Sequence, residues 1–207
     1  MNKAILLMLL LGAWSLSSWK MIPEASDDPM ENQIDSCFRE RYHKEGPFDC
    51  LYISIKQQKL MVVMRGKITH TFPISSSKYG IGAEKNSNKT PLGFHVIREK
   101  IGDKVPLNGI LKSRIYTGKQ AEIIHEKRSV DSDDVTTRIL WLAGDDPGKN
   151  KGGRVDSFER YIYIHGTPEE GLIGQPASHG CIRMLNADVI LLYNMVHVGM
   201  KVLISED

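Results

Sequence analysis

Ser178-His179-Gly180-Cys181-Ile182-Arg183 packs a thiol, an imidazole, a glycine and a guanidinium into six consecutive residues. Upstream, Tyr161-Ile162-Tyr163-Ile164-His165-Gly166-Thr167 adds a second His-Gly pair. These residue types together suit nucleophilic catalysis. A cysteine attacks as its thiolate, and a free thiol titrates near about 8.5, so something beside it must favour the anion. A histidine base is the usual solution, with a third group fixing its ring. His165 is the expected base, because a strand holds it independently of the loop that carries Cys181. His179 then serves as a neighbouring donor. Gly180 lets a substrate carbonyl approach the backbone, so the N–H groups of Gly180 and Cys181 can face a developing oxyanion. Arg183 can hold a substrate carboxylate bidentately while favouring the thiolate.

Blander readings stand beside these. Cys181 can be an inert thiol, His165 a satisfied core histidine, and Arg183 a structural ion pair, for instance to Asp188. A metal site from His165, His179 and Cys181 lacks a fourth ligand and any zinc-type paired spacing. His43, His70, His95, His125 and His197 are scattered and read as surface or core. Papain-like hydrolases run Cys first and His later; here His165 precedes Cys181 by 16 residues, which argues against them.

The elements that must position these groups are mostly strands. Leu51–Ile55, Leu60–Met64 and Ile68–Ile74 read as a β-meander with turns at Gln57-Gln58 and Arg65-Gly66-Lys67. Thr90-Pro91-Leu92-Gly93 leads into a fourth strand, and Arg138–Leu142 reads as another. Residues 98–135 mix glycine, charge and short apolar pieces and resist placement. Gly144–Gly153 reads as an exposed loop and a candidate lid. Tyr161–Ile164 is expected as a central strand, with His165 at its end where Gly166 breaks the ladder. Asn186 is expected to cap a helix from Ala187 to about His197, and Met200–Ile204 to close the fold. The sum is a mostly β domain over residues 48–207 with one confident helix, preceded by an extension or linker over 19–47 that holds at most a short helix at 31–43.

The chain's 207 residues allow one substantial core. Its net charge of +2, with basic and acidic residues interleaved, gives no reason to invoke nucleic acid. Lys3, the apolar run Ala4–Trp14 and the serines after it describe a secretory signal over residues 1–18, or an uncleaved anchor. The protein is therefore expected to be exported. In an oxidising compartment Cys37 and Cys50 can close a disulfide or stay unpaired, leaving Cys181 as a reactive-thiol candidate.

The chain resembles the L,D-transpeptidase (YkuD-type) family. That family's signature is a His-Gly pair, a gap of about a dozen residues, then Ser-His-Gly-Cys, a hydrophobic residue and Arg or Asn. Here these are His165-Gly166 and Ser178 through Arg183, and Thr90-Pro91-Leu92-Gly93-Phe94 resembles the family's Thr-Pro-x-Gly-x-Phe segment. The resemblance spans about residues 49–205. It implies a β-sandwich of mixed sheets and cofactor-free ping-pong acyl transfer in the cell envelope or periplasm. Cys181 would attack a peptidoglycan tetrapeptide stem and release D-Ala. His165 would move the proton, the Gly166 carbonyl would orient His165, Gly180 would donate to the oxyanion, and His179 would line the site. Arg183, Ser178, Thr167 and Tyr163 are the expected substrate-binding residues. The acceptor would be another stem, an outer-membrane lipoprotein or water, the last giving an L,D-carboxypeptidase. A non-catalytic wall-binding module is a further alternative, and a monomer is expected. No peptidoglycan-binding repeat is recognisable.

Overall fold

The computed structural model describes residues 28–130 and 133–207; the expected signal segment lies outside them. Its first element is α1 (Pro29–Tyr42), begun by Asp28, whose side chain accepts from Met30 N–H at 2.8 Å, and by Pro29 at the first turn. Ten strands follow: β1 (Cys50–Ser54), β2 (Lys59–Met64), β3 (Lys67–Pro73), β4 (Gly93–Ile101), β5 (Gly109–Lys112), β6 (Ile115–Gln120), β7 (Val135–Gly144), β8 (Tyr163–Gly166), β9 (Ile182–Met184) and β10 (Lys201–Ser205). Between β9 and β10 runs α2 (Asn186–Met195).

All ten strands join one mixed sheet in the order β3-β2-β1-β10-β4-β7-β5-β6, with β8 added to β7 and β9 to β8. The β1–β10 and β8–β9 pairs are parallel, and the rest antiparallel. Residues from β1, β2 and β10 share one core with residues from β7, β8, β9 and α2. The sandwich-like core is thus enclosed by a single curled sheet.

The period-2 alternation of strands decides what faces what. Leu51, Ile53, Leu60 and Val62 point into that core. Cys50, Tyr52, Met61 and Val63 point to the other face, where Ile34 and Phe38 of α1 cover them. Covered on both faces, β1 reads as a continuous apolar run. Residues 29–42 are therefore a packed helix rather than a linker, and the described residues hold two α-helices. Glu31 Oε1 accepts from Ile68 N–H at 2.7 Å and stitches α1 to β3. Cys37 and Cys50 lie in this cluster as free thiols, so the disulfide alternative is not formed.

The unplaced stretch holds the end of β4 and the β5–β6 hairpin. The strand expected at Tyr161–Ile164 starts two residues later. Tyr161 takes φ +57, outside any ladder, while His165 and Gly166 pair with β7 and β9 inside one. Asn186 does not cap α2 with its side chain. Its amide turns inward, donating to Thr167 O (2.8 Å) and Glu170 Oε1 (2.9 Å) and accepting from the Thr136 hydroxyl (2.6 Å). A Cβ at Gly166 would lie 2.5 Å from Asn186 Oδ1, which is why glycine follows His165.

Candidate active site

Parallel pairing of β8 with β9 puts Ile164 opposite Ile182 and His165 opposite Arg183. Ile164 and Ile182 enter the core, so Tyr163, His165, Cys181 and Arg183 share the opposite face. His165 is a diagonal neighbour of Cys181 on it, the spacing at which long side chains on adjacent strands still meet.

Cys181 ends a turn whose backbone is heavily tied. Ser178 Oγ donates to Cys181 O at 2.6 Å and accepts from Gly180 N–H at 3.2 Å. Thr90 Oγ1 donates to Gly180 O at 3.0 Å, so the Thr-Pro segment braces the cysteine turn. Gly180 sits at φ +123, a backbone open to glycine. Its N–H is committed to Ser178, which removes it as the expected oxyanion donor.

Cys181 Sγ donates to Tyr161 O and accepts from Tyr163 N–H, each at 3.3 Å. The left-handed backbone of Tyr161, unfavourable for a bulky residue, is what aims that carbonyl at the sulfur. Burial pushes the Cys181 thiol up to about 12, with the Tyr163 amide pulling the other way. His165 is buried, its Nδ1 2.7 Å from Gly166 O, so Nδ1–H donates and Nε2 keeps its lone pair. Among the described residues Nε2 has no hydrogen-bond partner. Burial lowers His165 to about 4, against the pull of Asp133 and of the Gly166 carbonyl. Burial thus favours the neutral thiol and the neutral imidazole over the ion pair the residue types suggest.

Arg183 departs furthest from expectation. It is fully buried; Nη1 donates to Glu169 Oε2 at 2.6 Å and Nη2 to Asp133 Oδ1 at 2.5 Å. With both ends committed to protein carboxylates, it cannot clamp a substrate's. Its partners are not the Asp188 considered from sequence. Glu169 Oε1 in turn accepts from Ser129 Oγ (2.8 Å) and Val130 N–H (2.6 Å), anchoring the segment that delivers Asp133. Asp133 Oδ2 accepts from His179 Nδ1 at 2.7 Å. Burial works against the Asp133 carboxylate, but the Arg183 charge and the hydrogen bonds from His179 and Arg183 hold it below the usual range.

Three other expected substrate contacts face inward too. Ser178 shapes the cysteine turn. Thr167 is buried, its hydroxyl accepting from Glu169 N–H at 3.2 Å. Tyr163 is buried edge-on against Trp141, its hydroxyl accepting from Arg114 at 3.3 Å. The Gly144–Gly153 loop is not a free lid. Asn150 is buried and donates to Leu92 O (2.9 Å) and Phe94 O (3.0 Å), and Asp146 accepts from Phe94 N–H (2.8 Å).

A cleft of about 200 Å³ opens at Cys181, with His179, Tyr161, Arg160, Asn88 and Lys85 in its walls. Of these only Cys181 and His179 were singled out from sequence. Asp133, Glu169 and Arg160 were missed. The acidic run Asp131–Asp134 and the half-apolar 159–164 segment carry no pattern that distinguishes them from solvated loop. Among the described residues no group of three or more His, Cys, Asp or Glu is placed to hold a metal ion, and no helix is long and apolar enough to cross a membrane.

A family model, the L,D-transpeptidase catalytic domain (YkuD), matches residues 49–204. Among curated proteins, YqjB of Bacillus subtilis (strain 168), itself a candidate L,D-transpeptidase, is 32% identical over 102 residues, 45% of this chain and 58% of that one. This chain thus spans under two-thirds of that relative's length. Among solved structures, the L,D-transpeptidase of Xylanimonas cellulosilytica DSM 15894 is 19% identical, with 84% of this chain and 69% of that chain covered at a TM-score of 0.46. An L,D-transpeptidase from Mycobacterium smegmatis is 18% identical, with 77% and 59% covered at a TM-score of 0.44.

Proposed function

The chain belongs to the YkuD family of L,D-transpeptidase catalytic domains, and on that premise we propose that it is a cysteine acyltransferase of peptidoglycan stem peptides. Residues 48–207 form its catalytic domain, acting in the cell envelope. The observation that carries this reading is Cys181 at an open cleft, on the same sheet face as an imidazole whose Nδ1 is locked to Gly166 O.

Because burial favours the neutral form of both groups, proton transfer accompanies attack. Sγ bonds to the carbonyl carbon of the terminal L-to-D peptide bond, and its proton passes to His165 Nε2. The tetrahedral oxyanion collapses, the C–N bond breaks, and the departing D-Ala amine takes that proton from His165. A thioester remains on Cys181. With Gly180 N–H bound to Ser178, the Cys181 N–H is the oxyanion donor of this turn. In the second half an acceptor amine attacks the thioester carbonyl, its proton passes to His165 Nε2, and the C–S bond breaks as the thiolate regains that proton. Asp133 accepts from His179 Nδ1–H at 2.7 Å, which fixes the His179 ring in the cleft wall where an acceptor would enter.

The test incubates the purified full chain with a tetrapeptide stem, with and without an amine acceptor. D-Ala release by the wild type and not by Cys181→Ala is expected, with crosslinked dimer when acceptor is present. Tripeptide without dimer would make it a carboxypeptidase. No D-Ala release from folded protein would overturn the catalytic reading in favour of a wall-binding module.

A further inference from the structure

With Arg183 buried, a different guanidinium stands in the cleft. Arg160 is half-buried in the wall beside Cys181 and Tyr161. Its Nη2 donates to Lys89 O at 2.7 Å and reaches Ser87 Oγ at 3.5 Å, and its Nη1 reaches Gly82 O at 3.4 Å. These acceptors are all uncharged, and among the described residues Arg160 has no ion-pair partner. Glu84, whose charge reaches it, is paired with Arg154 at 3.4 Å. Arg183, by contrast, has two carboxylates. A cation that has lost much of its water without gaining a counter-charge is costly, and an anion arriving in the cleft would relieve that cost. Lys85 adds a second positive charge at the rim and the exposed Glu159 one negative charge. The Arg160 charge also acts on the nucleophile. Burial raises the Cys181 thiol, and Arg160 is among the groups that oppose it.

We infer that Arg160 determines donor specificity by binding the α-carboxylate of the residue that leaves when Cys181 is acylated. The inference rests on the acyl transfer proposed above. When the scissile carbonyl sits at Sγ, the next charged group beyond the scissile nitrogen is the terminal carboxylate. A guanidinium in the wall of the same cleft as the sulfur is placed to meet it. Three acceptors occupy part of a five-donor fork, which leaves donors for a ligand. The enzyme would then cut only at the free C-terminal end of a stem.

Two tetrapeptide stems test this, one ending in a carboxylate and one in a carboxamide. Wild type should form the Cys181 thioester about ten- to a hundredfold faster from the carboxylate, the range for a charge-assisted bidentate contact. In Arg160→Gln the two rates should converge. A ratio taken on one preparation does not depend on how much of it is folded, so a merely structural Arg160 would leave it unchanged. No preference in wild type, or an unchanged ratio in Arg160→Gln, overturns the inference and leaves the acyl transfer standing. A second arm needs no chemistry: calorimetry of both stems on Cys181→Ala and on Cys181→Ala/Arg160→Gln. Preferential carboxylate binding that disappears with Arg160 supports the inference even if no thioester ever forms, which would sink the acyl transfer alone. Equal binding of the two stems, or binding of neither, overturns it.

Discussion

At the residue scale, activity depends on when the Cys181 proton moves. Burial holds the thiol up at about 12 and the His165 imidazole down at about 4, so neither ionises near neutrality. Iodoacetamide labelling of Cys181, followed by peptide mapping, should therefore rise about tenfold per pH unit between about pH 6 and about pH 9 without a plateau. A plateau already reached at about pH 6 would instead mean a resting thiolate–imidazolium pair. The turn makes its own prediction. Gly180→Ala forces a side chain onto φ +123 and should cost about 1–3 kcal/mol in chemical denaturation. Cys181, His165, Gly166 and Gly180 stood out in the sequence because their chemistry is local. Arg183 stood out as well, but its bracing role did not, because its carboxylates lie 14 and 50 residues away in the chain and sequence spacing does not show them.

At the element scale, β8 and β9 carry the site, and what braces them came from unexpected places. The Arg183 pairs join β9 to the segment after β8 and to the loop entering β7. Arg183→Gln leaves Asp133 and Glu169 without their cation and should destabilise by about 3–5 kcal/mol, read from urea midpoints. A loss under about 1 kcal/mol would show the network to be solvated and dispensable. Helix α1 is testable in the same way. Phe38→Ala empties a fully buried position between α1 and the sheet and should cost about 3–5 kcal/mol. No loss would return residues 29–42 to the linker role first expected of them. That helix was half-visible: Asp28-Pro29 is a proper start signal, but among its residues only Glu31, Ile34 and Phe38 are buried, so its composition reads as polar linker. The strands were easier, since β1, β2 and β7 are dense in apolar and β-branched residues. The β5–β6 hairpin was not legible because β6 is exposed along its whole length and shows no alternation.

At the scale of the whole molecule, one sheet carries the described fold, and two of its strands, β4 and β8, each bury an imidazole. His95, between Gly93 O (2.9 Å) and Ser157 Oγ (3.0 Å), is lowered by burial to about 4, as is His165. The unfolded chain protonates both as pH falls through about 6.5, whereas the fold resists until about 4. Their stabilisation is thus complete above that window and lost as pH falls through it, up to about 3 kcal/mol per imidazole. Melting temperature should drop steeply across the window, and His95→Gln should flatten the drop by about half; a flat profile in the wild type would contradict the burial of both rings. The family and the mostly β architecture were readable from the chain, because the His-Gly and Ser-His-Gly-Cys motifs and the Thr-Pro segment fall in order. The single curled sheet was not, since pairings such as β1 with β10 join distant parts of the chain. The most direct test of the whole account is intact-protein mass spectrometry after mixing with a tetrapeptide stem. The account predicts a mass gain equal to the stem minus D-Ala, mapped to Cys181 and absent from Cys37 and Cys50. Folded protein that stays unmodified while its Cys181 remains free to alkylate would contradict it.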